Sequence, residues 1–153
     1  MCSHAWSVAL SVLLLGCSTE APQPEIKAVP LSSESYAREV EELSNINQQA
    51  RTAFTKGKAD EAAELIQRGE PLSKQVLSVP RPTLEATEAA SDLDQLYGDM
   101  LFSNSNYGWA RLEFQKNLAR WKYWSPRTEE TARRRKQAQD SIAKCDSKIG
   151  KGR

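Results

Sequence analysis

Residues 83–101, Thr83-Leu84-Glu85-Ala86-Thr87-Glu88-Ala89-Ala90-Ser91-Asp92-Leu93-Asp94-Gln95-Leu96-Tyr97-Gly98-Asp99-Met100-Leu101, set Ala86, Ala89, Ala90, Leu93, Leu96, Tyr97, Met100 and Leu101 at steps of three and four. A helix completes a turn in about 3.6 residues, so these side chains share one face. No run of alternating β-branched residues competes with that reading here or elsewhere in the chain. The spacing predicts a helix from about Thr83, ended by Ser103-Asn104-Ser105-Asn106, and makes the protein all-α.

Upstream, Val79-Pro80-Arg81-Pro82 cannot continue a helix, because two prolines remove donors and clash with the preceding turn. Before that boundary Ala62, Leu65, Ile66, Gly69, Leu72, Val76 and Val79 form a second stripe, with Pro71 placed to kink it. Tyr36, Val40, Leu43, Ile46, Ala50, Ala53 and Phe54 form a first, capped by Ser32 or Ser33 and stopped at Lys56-Gly57. Downstream, Tyr107, Ala110, Phe114, Leu118 and Trp121 define a fourth helix, and Trp109, Leu112, Tyr123 and Trp124 widen its aromatic face. Ser125-Pro126 then reads as an N-cap with proline at the first helical position, and Glu129-Glu130 suit the dipole of the first turn. The fifth helix runs to about Lys148 with a thin apolar side of Ala132, Ala138, Ile142 and Cys145, and is predicted to be the least buried. The expectation is one domain over 34–150, a small bundle of about five helices in antiparallel hairpins.

With 153 residues, 39% apolar and 27% charged, the chain suits one globular domain and is not a fully disordered polymer. No stretch reaches the roughly 18 to 20 apolar residues that span a bilayer. The net charge of +1 hides a split: residues 18–110 carry 8 Lys/Arg against 15 Asp/Glu, and residues 111–153 carry 13 against 5. Either the halves partly neutralise each other, or the basic end meets an anionic partner, or these are ordinary solvated helix faces.

At the amino terminus, Val8-Ala9-Leu10-Ser11-Val12-Leu13-Leu14-Leu15 has the length of a secretory apolar core and runs into Gly16-Cys17. Leu14-Leu15-Gly16-Cys17 resembles the lipobox of bacterial lipoproteins. The resemblance implies a signal peptide over 1–16, cleavage between Gly16 and Cys17, and lipidation of Cys17 by diacylglycerol and a further acyl chain such as palmitate. It also implies a bacterial cell-envelope protein whose partner is the membrane itself. Ser18, in place of the Asp that retains such proteins at the inner membrane, favours the outer membrane facing the periplasm. Met1-Cys2-Ser3-His4-Ala5-Trp6 departs from the pattern in holding no Lys or Arg, which leaves room for a start further upstream. Residues 17–33 are Pro-, Ser- and Glu-rich without either hydrophobic period, and are expected to be a disordered tether. Cys145 would then be the lone thiol of the mature chain, expected to be buried.

Gly57-Lys58-Ala59-Asp60-Glu61-Ala62-Ala63-Glu64-Leu65-Ile66 is similar to the turn of a tetratricopeptide repeat, with Gly closing the first helix and Ala62 packing between the pair. Ala50 fits the small position seven residues before the Gly, and Gly98, Ala110 and Phe114 echo the spacing. The 48 residues from Ala62 to Ala110 depart from the family's period of about 34, and a generic helical hairpin explains Gly57 and Ala62 as well.

The search for chemistry narrows the function. His4 is the only histidine and falls in the signal segment, so the mature chain lacks the commonest general base and imidazole ligand. One thiol without imidazole cannot complete a four-coordinate zinc site. The carboxylates of Glu39, Glu41 and Glu42, of Asp60, Glu61 and Glu64, and of Asp92, Asp94 and Asp99 are spaced as solvated helix faces are. No phosphate loop, dinucleotide fingerprint or EF-hand loop is present. The expectation is therefore no catalytic residue, no metal and no cofactor. A basic and aromatic region remains, with Trp109, Arg111, Arg120, Trp121, Trp124, Arg133, Arg134 and Lys136 as the candidate binding face. Export argues against nucleic acid as its partner. The leading functional reading is a non-enzymatic, lipid-anchored envelope protein with a helical interaction or scaffold domain, its partner a protein or an envelope polymer. The alternative is a lipoprotein that holds an anionic or polymeric envelope molecule against that face.

Overall fold

Thr83 opens the third helix as its spacing predicts: its side-chain oxygen accepts from the Ala86 N–H at 3.2 Å. A computed structural model describes residues 33–151; the signal, lipobox, Ser32 cap and tether up to residue 32 lie outside the described residues, and Ser33, expected as the tether's last residue or as a cap, is the first residue of the first helix. Within them the chain forms α1 (Ser33–Thr55), α2 (Ala59–Leu77), α3 (Leu84–Ser103), α4 (Tyr107–Lys122) and α5 (Glu129–Lys151), and no strand.

Each boundary has a local cause. Gly57, at φ +75, takes the left-handed conformation that ends α1, and the Gly57 and Lys58 N–H groups donate to the Phe54 and Ala53 carbonyls. Pro71 lies inside α2 on an exposed face, and the helix continues through it. The Ser103–Asn106 turn reverses the chain with Ser105 at φ 61. The start of α5 differs from expectation. Ser125-Pro126 does not open it; instead the Thr128 hydroxyl accepts from the Thr131 N–H and the Thr131 hydroxyl accepts from the Thr128 N–H. This reciprocal pair satisfies two donors that a proline at the first position would leave to solvent. The buried row of α5 is accordingly shifted: Ala132 is exposed, and Thr131, Ala138, Ser141 and Cys145 are buried.

The hairpins are antiparallel. Tyr36 near the start of α1 donates to the Val76 carbonyl near the end of α2, and Arg111 early in α4 pairs with Asp146 late in α5. In turn α3 packs on both helices of the first hairpin and on α4, while α4 packs on α5. Side chains also join α5 to α3, with Arg134 on Asp92 and Gln95 on Ser141. One core cluster joins α1, α2 and α3 through Leu43, Ile46, Ile66, Val76, Leu93 and Leu96. A second joins Ala110, Phe114 and Cys145 with Leu101, Phe102 and Ile142. At Gly98 the Phe114 ring sits where a side chain would be: a Cβ there would meet Cζ at 2.8 Å and Cε1 closer still. Gly98 is thus a packing position in mid-helix, in contact with the Phe114 of the Gly98–Ala110–Phe114 spacing.

Candidate functional site

The carboxylates of α3 flank its apolar stripe on two sides, Asp94 toward α4 and Asp92 with Glu88 toward α5, and the basic carboxyl half of the chain folds back onto them. Arg120 of α4 donates to Asp94 at 2.8 Å, and Arg134 of α5 donates to Asp92 at 2.6 Å, with Glu88 at 3.7 Å. The two halves therefore neutralise each other in part, which is one of the readings of the charge split. Nearby, Trp121 donates its indole N–H to the Ser91 hydroxyl at 2.8 Å, and Asn117 donates to the Ser91 carbonyl at 3.0 Å. The Arg134 guanidinium lies 5.6 Å from the centre of the Trp121 ring, so one arginine is held by carboxylates and by an aromatic face together.

The eight residues of the candidate binding face are thereby separated. Trp121 is buried, and Trp124 is half-buried with its ring edge-on to Trp121 at 6.0 Å. Arg120 and Arg134 belong to the junction of α3, α4 and α5. Arg111 pairs with Asp146 beside the other end of α4, and Trp109 stands 67% exposed. On α5, Arg133 pairs with Glu130 and Lys136 with Asp140. Every cation of the set has a carboxylate partner, and the aromatic residues do not form one surface.

A cleft of about 440 Å³ lies over α1, α3 and α5, lined in part by Asn47, Arg51, Glu85, Glu88, Asp92 and Arg134. Asn47 donates to the Ala89 carbonyl across the α1–α3 contact at 2.7 Å, and its side-chain oxygen is buried without a partner among the described residues. An acceptor left in that state costs about 1–3 kcal/mol. Its sequence signal is a polar residue inside an apolar stripe, between Ile46 and Ala50, and that signal was open to reading. The acidic rim is electrostatically crowded. Burial pushes the Glu88 carboxyl above the usual carboxylate range; Arg134 opposes this, and Glu130, Asp92 and Glu85 add to it. By contrast the Glu130 carboxyl is held down to about 2, first by the Arg133 hydrogen bond and then by Arg134. The lining is mixed in sign, with Arg51 and Arg134 beside Glu85, Glu88 and Asp92, and Asp92 already paired with Arg134.

Because the folded state raises the Glu88 pKa, ionised Glu88 disfavours folding, and stability gains as pH falls through that value. Glu88→Gln is expected to be as stable as the wild type or more so at pH 7, by less than about 1 kcal/mol for this partly exposed group. The difference should vanish once the pH falls below the ordinary carboxylate range. Thermal midpoints of both proteins across that range test this, and a clear loss in the variant at pH 7 would show that the contact with Arg134 dominates.

Among the described residues no group of three or more His, Cys, Asp or Glu side chains is placed to hold a metal ion. Comparison with known proteins finds no matching family model, no similar curated protein and no similar solved structure.

Proposed function

We propose that the chain is a lipid-anchored, non-enzymatic protein of the bacterial envelope, residing at the outer membrane, whose helical domain is an interaction module for a protein or envelope polymer. The anchor rests on Leu14-Leu15-Gly16-Cys17, with Cys17 as the lipidated residue. The observation that carries the interaction reading is the half-satisfied Asn47 amide beside the Glu85, Glu88 and Asp92 carboxylates. A buried acceptor of that kind is stabilised by whatever brings it a donor. The succession of antiparallel neighbours α1–α2, α3–α4 and α4–α5 suits a tetratricopeptide-like plan.

The reading is tested by fractionating cells that make the unaltered protein. It should sediment with the outer membrane, resist washing with high salt, and be released by detergent. Release by salt alone would indicate a peripheral, ionic attachment and remove the lipid anchor from the account. Recovery in the soluble fraction before any wash would remove membrane residence altogether.

A further inference from the structure

The outward side of α4 has no partner in the fold. Trp109, Leu112 and Tyr123 are 67%, 47% and 77% exposed, and at about 100° of rotation per residue they fall within an arc of about 60°. Ala110, Phe114 and Trp121, which α4 buries, lie on the other side. Lys116 shares the outward arc with its ammonium paired to Glu113, and the Lys122 ammonium lies 5.1 Å from the centre of the Tyr123 ring. Rings with an apolar body and a polar edge, a leucine between them and lysine stems alongside are what settles at the boundary between lipid tails and headgroups.

We propose that this face of α4 docks on the phospholipid leaflet that holds the acyl chains of Cys17, with Trp109 and Leu112 entering the headgroup boundary. The inference rests on the lipid-anchored reading for its proximity. From Cys17 to Ser33 is about 16 residues, a reach of at most about 55 Å. A domain of this size has a radius of gyration of about 13–14 Å, so any of its faces can come down on the same bilayer. Chemistry then selects the face. On α4 itself Arg111, Lys116, Arg120 and Lys122 stand against Glu113 alone, with Arg111 and Arg120 partly neutralised by Asp146 and Asp94, whereas the acidic excess lies in the residues before them. An anionic leaflet attracts the first and repels the second. Tethering also raises the effective concentration of the face at the surface to the millimolar range, so a weak intrinsic affinity is enough to seat it.

The test uses the mature acylated protein in vesicles of phosphatidylglycerol and phosphatidylcholine, the latter brominated at acyl carbons 6 and 7. Flotation reports anchoring, and bromine quenching of tryptophan emission reports docking. Wild type should float and be quenched. Trp109→Phe should float equally and lose most of the quenching, because Trp121 is buried and Trp124 half-buried. Leu112→Ser, with Trp109 retained, should reduce the quenching at least about twofold at unchanged helix content. Flotation with quenching that Trp109→Phe leaves unchanged, or with none, overturns the docking and leaves the anchor standing. Failure to float overturns the anchored reading, and docking falls with it unless Trp109 is still quenched. Trp109 shielded from bromine in a species of twice the chain mass would assign the face to a second copy of the chain and overturn lipid docking.

Discussion

Cys17→Ser is expected to abolish incorporation of labelled palmitate and to move the domain from the membrane pellet to the soluble periplasmic fraction. The size of the effect follows from where the attachment energy lies. Each buried methylene contributes about 0.8 kcal/mol, so two or three acyl chains hold a protein for its lifetime, whereas a single chain holds it only transiently. Nothing described in the folded part replaces that anchor, since no helix there is long and apolar enough to cross a membrane. Docking by Trp109 and Leu112 is too small an area to retain the protein once the tether is cut, because it relies on the concentration the tether supplies. A Cys17→Ser protein that still sediments with membrane, beside a wild type that takes up no palmitate, would remove the lipoprotein reading.

Phe114→Ala is expected to lower stability by about 3–5 kcal/mol, the largest loss from any single side chain considered. The ring is 2% exposed, fills the gap that Gly98 leaves on α3, and meets Cys145 and Ala110 in the smaller of the two core clusters. On the α3 side the ring faces Gly98, which has no side chain to move into the cavity. For a domain of this size the thermal midpoint should fall by roughly 10 °C or more. Leu112→Ala, two residues earlier but on the outward side of α4, should stay within about 0.5 kcal/mol of wild type. Chemical denaturation of the two variants side by side gives the contrast, and equal losses would place both residues on one kind of surface.

The stripes of the first four helices were legible because each depends only on local spacing, and Thr83 was legible as a cap because its hydroxyl acts on its own first turn. The start of α5 was misread for an equally local reason: Ser-Pro and Thr-x-x-Thr both resemble helix openings, and only packing decides between them. That choice moved the buried row from Ala132 to Thr131. The basic and aromatic face was legible as composition and not as a surface. Trp109 and Trp121 are 12 positions apart, hence about 120° apart on α4, which sends one outward and the other inward. The pairing of Arg134 with Asp92 spans 42 residues and depends on how α5 returns over α3, which no local pattern encodes.

Mass spectrometry of the amino-terminal peptide from protein extracted from its native membrane tests the lipid-anchored reading most directly. The expected species begins at Cys17 and carries the mass of a diacylglyceryl group on sulfur with a further acyl chain on the amine. A chain that retains the residues before Cys17, or begins elsewhere, with an unmodified Cys17 thiol would contradict it.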